Sequence, residues 1–465
     1  MPQRSIALAA VLALTGGARA ATDADLAAIR AQIDDMKKTY EQRIAALEKK
    51  LAQAEAQVEQ VGNRAGESPA VRPAAGQSAF NPEISVILDG KYAATSRSPE
   101  TYRLRGFVPS GGEIGPPGRS FSLGETELAI SANVDHLFRG NVRFSVADEG
   151  GESHIETEEA SVETLALPAG LKLKGGRFLS GIGYLNQQHP HGWDFVDAPL
   201  AYKAFWGSRL SQDGLQLKWV APTALFFEVG GELARGGGFP GSERDRNGAG
   251  LGALFAHLGG DVGESHAWQA GVSYVRTHAR ERSWDDIDSS GLATANSFTG
   301  RSVTWGADFV WKWSPYGNST RQNFKFQAEF FQRREDGSLS YDDSAGSNRV
   351  GEASDRFRSR QTGWYAQGVW QFMPLWRVGY RYDALDSGTL RLGLVDAGTL
   401  SAADFPSLAQ YRPRRDSLMV DWSPSEFSRL RVQFARDDSR GPGETDKQFF
   451  LQYIMSLGAH GAHAF

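Results

Sequence analysis

The chain contains no cysteine. That excludes disulfide frameworks, thiol catalysis and Cys-ligated zinc or iron–sulfur centres. After its first 20 residues it has no run of about 18 uncharged apolar residues, which excludes a helical multispanning membrane protein. A basic excess is also lacking, since 50 Lys and Arg stand against 55 Asp and Glu for a formal net charge of −5. Nucleic acid is therefore not an expected partner. The glycine run Gly236-Gly237-Gly238 lies in a polar connection, not between a strand and a helix, so it is no phosphate cradle. Asp285-Asp286 sits in a similar polar stretch, and no Ser/His/Asp order is recognisable. The chain reads as a non-enzyme without a cofactor.

What is present is aromatic and glycine-rich. The 465 residues include 53 Gly, 26 Phe, 13 Tyr and 12 Trp, although only 40% are hydrophobic. A polar average with many aromatics suits a wall with one apolar face and one wet face. A barrel can absorb several hundred residues in a single closed sheet.

Four regions follow in order. Residues 1–20 read as a signal peptide, with Arg4, the apolar stretch Ile6–Leu14 and the cleavage pattern Ala18-Arg19-Ala20. Within 21–61, apolar residues fall at Leu26, Ile29, Ile33, Met36, Tyr40, Ile44, Leu47, Leu51, Ala54, Val58 and Val61. Steps of three and four predict a self-associating coiled-coil helix with one stutter after Tyr40. Residues 62–80 are rich in Gly, Pro and Ala and read as a flexible linker. From 81 to 465 the period changes to two.

Val303, Trp305, Ala307, Phe309, Trp311 and Trp313 share one face of a strand, with Thr304, Gly306, Asp308, Val310 and Lys312 on the other. The same alternation opposes Phe324, Phe326, Ala328 and Phe330 to Lys325, Gln327 and Glu329. It recurs at 364–372, 376–383 and 429–434. An aromatic face opposite a charged face suits lipid outside and water inside. About sixteen such segments are predicted. Tight connections (at Asp135-His136, Pro168-Ala169-Gly170, Pro222, 260–264, 315–320, Pro374 and Pro424-Ser425) alternate with mostly long, polar ones at 96–120, 181–212, 235–247, 279–300, 335–360 and 385–414. Short turns on one rim and long loops on the other mark an outer-membrane barrel with periplasmic short turns. The expected fold is all-β: an antiparallel transmembrane barrel preceded by an N-terminal helical coiled coil. Its place is the outer membrane of a Gram-negative cell, with the coiled coil in the periplasm. The terminal Phe465 closes an amphipathic stretch in the manner of an outer-membrane assembly signal, so the assembly machinery and outer-membrane lipid are expected partners.

Leader, coiled coil, linker, strand count and terminal Phe together resemble the phosphate-selective porin O/P family. Gly176-Arg177-Phe178 and Gly192-Trp193-Asp194-Phe195-Val196-Asp197-Ala198-Pro199-Leu200 are similar to that family's strand and constriction-loop region. The resemblance implies a sixteen-stranded homotrimeric barrel with an inward-folded loop. It also implies arginine ladders and a lysine cluster at the constriction, whereas 181–212 carries only Lys203 and Arg209. The ending Ser456–His463 is similar to that of related barrels labelled zinc-regulated outer-membrane receptors.

The inward face inferred from alternation contains Arg143, Lys172, Lys174, Lys218, Lys312, Lys325, Arg377, Arg381, Arg429 and Arg431. Against them stand Glu127, Glu228, Glu232, Asp308, Glu329, Asp383 and Asp421. Lys312, Lys325, Arg377, Arg381, Arg429 and Arg431 are the candidate pore-lining residues, because cationic rings favour anions in a narrow pore. The leading reading is a porin for passive diffusion of small hydrophilic solutes, with anion preference as the expected selectivity. The alternative is a zinc-responsive binding barrel. In that reading His189 and His191, with His154 and the acidic residues Glu152, Glu156, Glu158 and Glu159, bind a divalent metal. His460 and His463 are further metal candidates.

Overall fold

The computed structural model describes residues 82–111, 114–149, 152–242, 247–343 and 350–458. The predicted leader, coiled coil and linker, and the terminal residues His460, His463 and Phe465, lie outside the described residues. So do residues 112–113, 150–151, 243–246 and 344–349.

The alternating segments of the sequence become strands. The strands are β1 (Glu83–Thr95), β2 (Ser120–Leu123), β3 (Thr126–Asn133), β4 (Phe138–Glu149), β5 (Glu152–Thr164) and β6 (Leu171–Leu179). Next come β7 (Ser211–Val220), β8 (Phe226–Ala234), β9 (Leu251–Val262), β10 (His266–Ile287), β11 (Ala293–Trp313) and β12 (Asn323–Asp342). The wall ends with β13 (Glu352–Met373), β14 (Trp376–Leu392), β15 (Arg414–Ser425), β16 (Ser428–Asp437) and β17 (Asp446–Gly458). Each pairs antiparallel with its neighbours, and β1 pairs with β17 from Ser85↔Gly458 to Thr95↔Gln448, which closes the sheet. β2 and β3 both pair with β1 and are two halves of one wall strand, so the barrel has sixteen strands.

The break between those halves is a β-bulge. The register runs Gly90↔Leu123 on one side and Ile87↔Glu127 on the other, a slip of one residue. A bulge reverses the alternation beyond it. Phe121 and Leu123 face outward before it, and Leu128 faces outward after it. Glu127 thereby turns into the barrel. Gly124 sits at the break, where a Cβ would come within 2.1 Å of the Asp89 carboxylate. A second bulge lies in β5. Arg143 pairs with Glu159 but Phe144 pairs with Thr157, which leaves Glu158 as the extra residue.

The outward face is apolar and aromatic. Trp305, Phe309, Phe330, Trp364, Trp370, Tyr380, Leu418, Trp422 and Phe434 are all exposed. Their rings gather at two levels. Tyr274 meets Trp305 at 4.6 Å and Trp364 meets Tyr382 at 5.5 Å, while nearer the short-turn rim Trp311 meets Phe324 at 5.8 Å and Trp376 meets Trp422 at 6.0 Å.

Two connections expected to be long loops, 279–300 and 335–360, are mostly strand, and β14 runs into a third, 385–414, as far as Leu392. β10, β11, β12, β13 and β14 run for 22, 21, 20, 22 and 17 residues, whereas every other strand has 13 or fewer. At about 3.3 Å per residue a 22-residue strand is about 70 Å long, twice what a bilayer needs. The five strands therefore stand above the rest of the rim as a tall wall. Its inner face buries Trp284, Phe298, Leu339, Tyr341 and Phe357 against Leu394, Leu400, Phe405 and Leu408 of the 393–413 connection.

Residues 180–210 turn into the barrel, as the family resemblance implies. They include a seven-residue helix, α1 (Leu200–Trp206), every residue of which is buried. It ends at Gly207, whose φ of 63° closes the helix in the left-handed conformation open to glycine. Ile182, Leu185, Tyr202, Phe205 and Trp206 pack against wall residues Val275, Phe331, Tyr365 and Leu385. Full burial of each large apolar side chain contributes about 1.5–3 kcal/mol, enough to hold the segment inside.

Candidate functional site

The site is the inward segment and the walls that receive it. Asn186 fixes the neck: its Nδ2 donates to the carbonyls of Ser180 at 2.8 Å and Leu210 at 3.0 Å, and its Oδ1 accepts from the Leu210 amide at 2.7 Å. Glu329 of β12 receives the middle of the segment. It accepts from the hydroxyls of Tyr202 (2.7 Å) and Tyr365 (2.6 Å) and from the amide of Leu185 (2.9 Å).

Beyond these hydrogen bonds, two clusters of charge anchor the segment. In the first, the segment supplies acids to a basic wall. Asp194 pairs with Lys325 of β12 and, at 3.1 Å, with Arg377 of β14. Asp197 pairs with Arg381 at 3.2 Å, with Lys203 at 3.1 Å and with Arg415 of β15. The Trp193 carbonyl accepts from Arg431 at 2.8 Å and from Arg429 at 3.5 Å. Burial alone would raise Asp194 and Asp197. The cations outweigh it (Lys325 and Arg377 at Asp194, Arg415 and Lys203 at Asp197) and hold both well below the usual carboxylate range.

In the second cluster the segment supplies bases to an acidic wall. His189 Nε2 lies 2.6 Å from Glu159, and its Nδ1 lies 3.0 Å from Glu158 and 3.2 Å from Glu127. His191 stacks on His189 with ring centres 5.9 Å apart, and its Nδ1 is 3.5 Å from Glu127. Arg209 donates to Glu125 at 2.8 Å and to Glu158 at 3.2 Å. Arg143 of β4 reaches Glu127 at 2.5 Å. Burial alone would lower His189, but the three carboxylates around it prevail and raise it to about 10. Glu158 and Glu159 are consecutive and would face opposite sides of a regular strand. The β5 bulge brings both to the same imidazole.

Of the candidate pore-lining residues, Lys325, Arg377 and Arg381 bind the carboxylates of the segment. Arg429 and Arg431 hold its backbone, and both lie within 4.0 Å of Asp421. Lys312 stands directly across from Lys325 in the β11–β12 ladder. Of the candidate metal ligands, His189 and His191 come together, and Glu158 and Glu159 join them. His154 is exposed on β5, opposite Ala147, and the cluster forms without it. Asp194, Asp197, Arg415 and Glu125 were not singled out by sequence reasoning. The first two lie within the stretch that carries the family resemblance, and their i, i+3 spacing was the available signal.

Fold and site define a closed sixteen-stranded antiparallel barrel narrowed by an inward segment. The fold is similar to that of a loop L8 deletion mutant of OmpT, an outer membrane protein of Vibrio cholerae, at a TM-score of 0.50 and 12% identity, over 82% of this chain and 100% of that one. The outer membrane channel DcaP of Acinetobacter baumannii aligns at a TM-score of 0.48 and 12% identity, over 84% of this chain and 100% of that one. No protein-family model matches the chain. The chain belongs to the same family as a protein of Aquifex aeolicus (strain VF5), described as an uncharacterized protein. The two are 30% identical over 417 residues, which cover 84% of this chain and 81% of that one.

Proposed function

We propose that the protein is an outer-membrane porin through which small hydrophilic solutes diffuse passively, with a weak preference for anions and no catalytic activity. One observation carries this reading. The inward segment does not fill the barrel, but leaves a cavity of about 710 Å³ between itself and β1, β2 and β5–β7. Five basic side chains (Lys91, Arg177, Lys203, Arg209 and Arg235) and five acidic ones (Glu125, Glu156, Glu158, Asp197 and Asp213) line it. A passage lined by balanced charge admits polar solutes of either sign. The basic wall behind Asp194 and Asp197 supplies the residual positive potential that favours anions.

The outer surface supports the membrane placement. Trp305 and Trp313 lie eight residues apart on β11, about 26 Å along the strand, and Trp364 and Trp370 lie six apart on β13, about 20 Å. These spans approach the apolar band of about 25 Å between the aromatic girdles of such barrels. Four residues beyond Trp305, Phe330 and Trp364 stand Arg301, Arg334 and Arg360, all outward and exposed, with Arg334 directly across from Arg360. Arginines just above an aromatic girdle suit the phosphate level of a lipid leaflet. In this reading 1–20 directs export, 21–61 is a periplasmic coiled coil and the barrel works as a homotrimer, inserted by the outer-membrane assembly machinery.

Single-channel recording of the refolded protein in a planar bilayer under a salt gradient tests the proposal. Stepwise conductance with a reversal potential slightly on the anion side is expected. Absence of conductance from protein that resists detergent unfolding would overturn it.

A further inference from the structure

The acidic anchor gathers four carboxylates around two imidazoles. Four carboxylates (Glu125, Glu127, Glu158 and Glu159) meet there, and only two guanidiniums, Arg143 and Arg209, face them. Carboxylates gathered in a largely buried setting are costly unless positive charge compensates them. Protonated imidazoles can supply that compensation, and so can one divalent cation.

The geometry suits the cation. Glu125, Glu158 and His189 each offer a ligand atom, and these atoms lie within 4.8 Å of one another. The Glu127 side chain is 2% exposed, and its Oε2 takes no hydrogen bond. That oxygen points between two ring nitrogens, 3.2 Å from His189 Nδ1 and 3.5 Å from His191 Nδ1. His189 Nδ1 is 3.0 Å from Glu158 Oε2. A tetrahedral zinc ion with bonds of about 2.0 Å sets its ligands about 3.3 Å apart, so these spacings are those of neighbouring ligands. The other face of the ring completes the pattern. His189 Nε2 lies 2.6 Å from Glu159, where an N–H donated to the carboxylate fixes the ring and its tautomer.

We propose that the acidic anchor is a binding site for one divalent transition-metal ion of the zinc type, held by His189, Glu158 and Glu125, with Glu127 or His191 in the fourth position and Glu159 orienting His189. Imidazole with carboxylate suits zinc and cobalt better than calcium or magnesium, which take oxygen alone. Binding is stoichiometric exchange: the metal–Nδ1 bond forms as the proton on Nδ1 leaves to solvent. A bound ion ties the segment to β3 and β5 beside the cavity, which Glu158, Pro190 and Arg209 line. The site does not depend on the pore reading, because its test is binding and not conductance.

The test uses the full chain without an affinity tag, refolded in detergent and stripped with chelator. Titration calorimetry with zinc chloride is expected to give one high-affinity ion per chain at micromolar concentration or below. His189→Gln should weaken it at least 30-fold and Glu158→Gln about tenfold, while His154→Gln leaves it unchanged. Cobalt substitution of the wild type needs no variant and should give the visible absorption of a four-coordinate site, bleached by zinc. No binding tighter than millimolar, affinity retained in His189→Gln, or a six-coordinate cobalt spectrum would each overturn the proposal.

Discussion

The two anchors of the inward segment perform the same task with opposite charge. At one, acids on the segment (Asp194 and Asp197) meet bases on β12, β14 and β15. At the other, bases on the segment (His189 and Arg209) meet acids on β5 and beside β3. The inversion gives the segment one orientation in the barrel, since docking it the other way would place like charges together. The two walls present their charges differently. The basic wall uses plain alternation: Arg377 and Arg381 lie four apart on β14, and Arg429 and Arg431 lie two apart on β16. The acidic wall needs two bulges to bring its acids to one level. The basic anchor is therefore the mechanical hold and the acidic one the adjustable contact.

That contrast is sharpened most by removing Asp197. Arg381 and Arg415 are almost fully buried, and Asp197 is shared by both and by Lys203. Taking away one partner of a buried ion pair costs about 3–5 kcal/mol, because the remaining charge stays desolvated. Asp197→Ala is expected to release the segment from the basic wall. Unit conductance should rise and become noisy, and the barrel should unfold in detergent at a lower temperature. A variant with wild-type conductance and thermal stability would show that the apolar packing of α1 alone holds the segment.

His189→Gln breaks the other anchor and should do less. Arg143 and Arg209 still face the carboxylates, so the loss is that of hydrogen bonds to charged groups, about 2 kcal/mol. Open-channel noise should increase without the large rise in conductance expected of Asp197→Ala. Equal effects from the two variants would remove the distinction between hold and contact.

The same contrast explains what was legible in the sequence. Where a wall charge sits on a regular strand, its parity gives its face. Lys325, Gln327 and Glu329 of β12 were placed inward that way, as were Arg377, Arg381, Arg429 and Arg431. Parity fails at a bulge. Nothing in Glu158-Glu159 announces that both reach the same histidine, and the slip at Gly124-Glu125 depends on the partner strand. The upper halves of β10–β14 were invisible for another reason. Above the apolar belt the outward positions are Arg301, Arg334, Asp336, Arg356, Arg358 and Arg360, while the few apolar residues, such as Phe298, Leu339 and Phe357, turn inward, so the outward apolar stripe ends although the strand continues. The inward fold of 180–210 came from family resemblance, since its docking rests on pairs such as Asp197–Arg415 that are more than 200 residues apart in sequence.

A smaller effect is expected at Arg177, which lines the cavity but belongs to neither anchor. Arg177 is half exposed and pairs with Asp213 at 2.6 Å. Such an exposed pair contributes about 0–1 kcal/mol, so Arg177→Gln should leave stability unchanged. It removes one of the five basic side chains from the cavity and, if solutes pass there, moves the reversal potential toward cations. An unmoved reversal potential would place the conducting path elsewhere in the barrel.

The smallest expected effect is a null that still discriminates between the anchors. Asp194 and Asp197 are held below their ordinary range in the folded barrel. A carboxylate depressed in this way gives its full stabilisation above its unfolded value, near 4, and loses it only as pH falls through the lower folded value. The basic anchor should therefore be insensitive to acidification from pH 8 to pH 4. Any conductance change in that window should persist in the Asp194→Asn/Asp197→Asn double variant, which at pH 7 should already show the open, noisy behaviour that the wild type reaches only in stronger acid. A wild-type transition between pH 6 and pH 4.5 that disappears in the double variant would mean that these carboxylates titrate normally. In that case the cations of β12, β14 and β15 would not hold the segment as their distances imply.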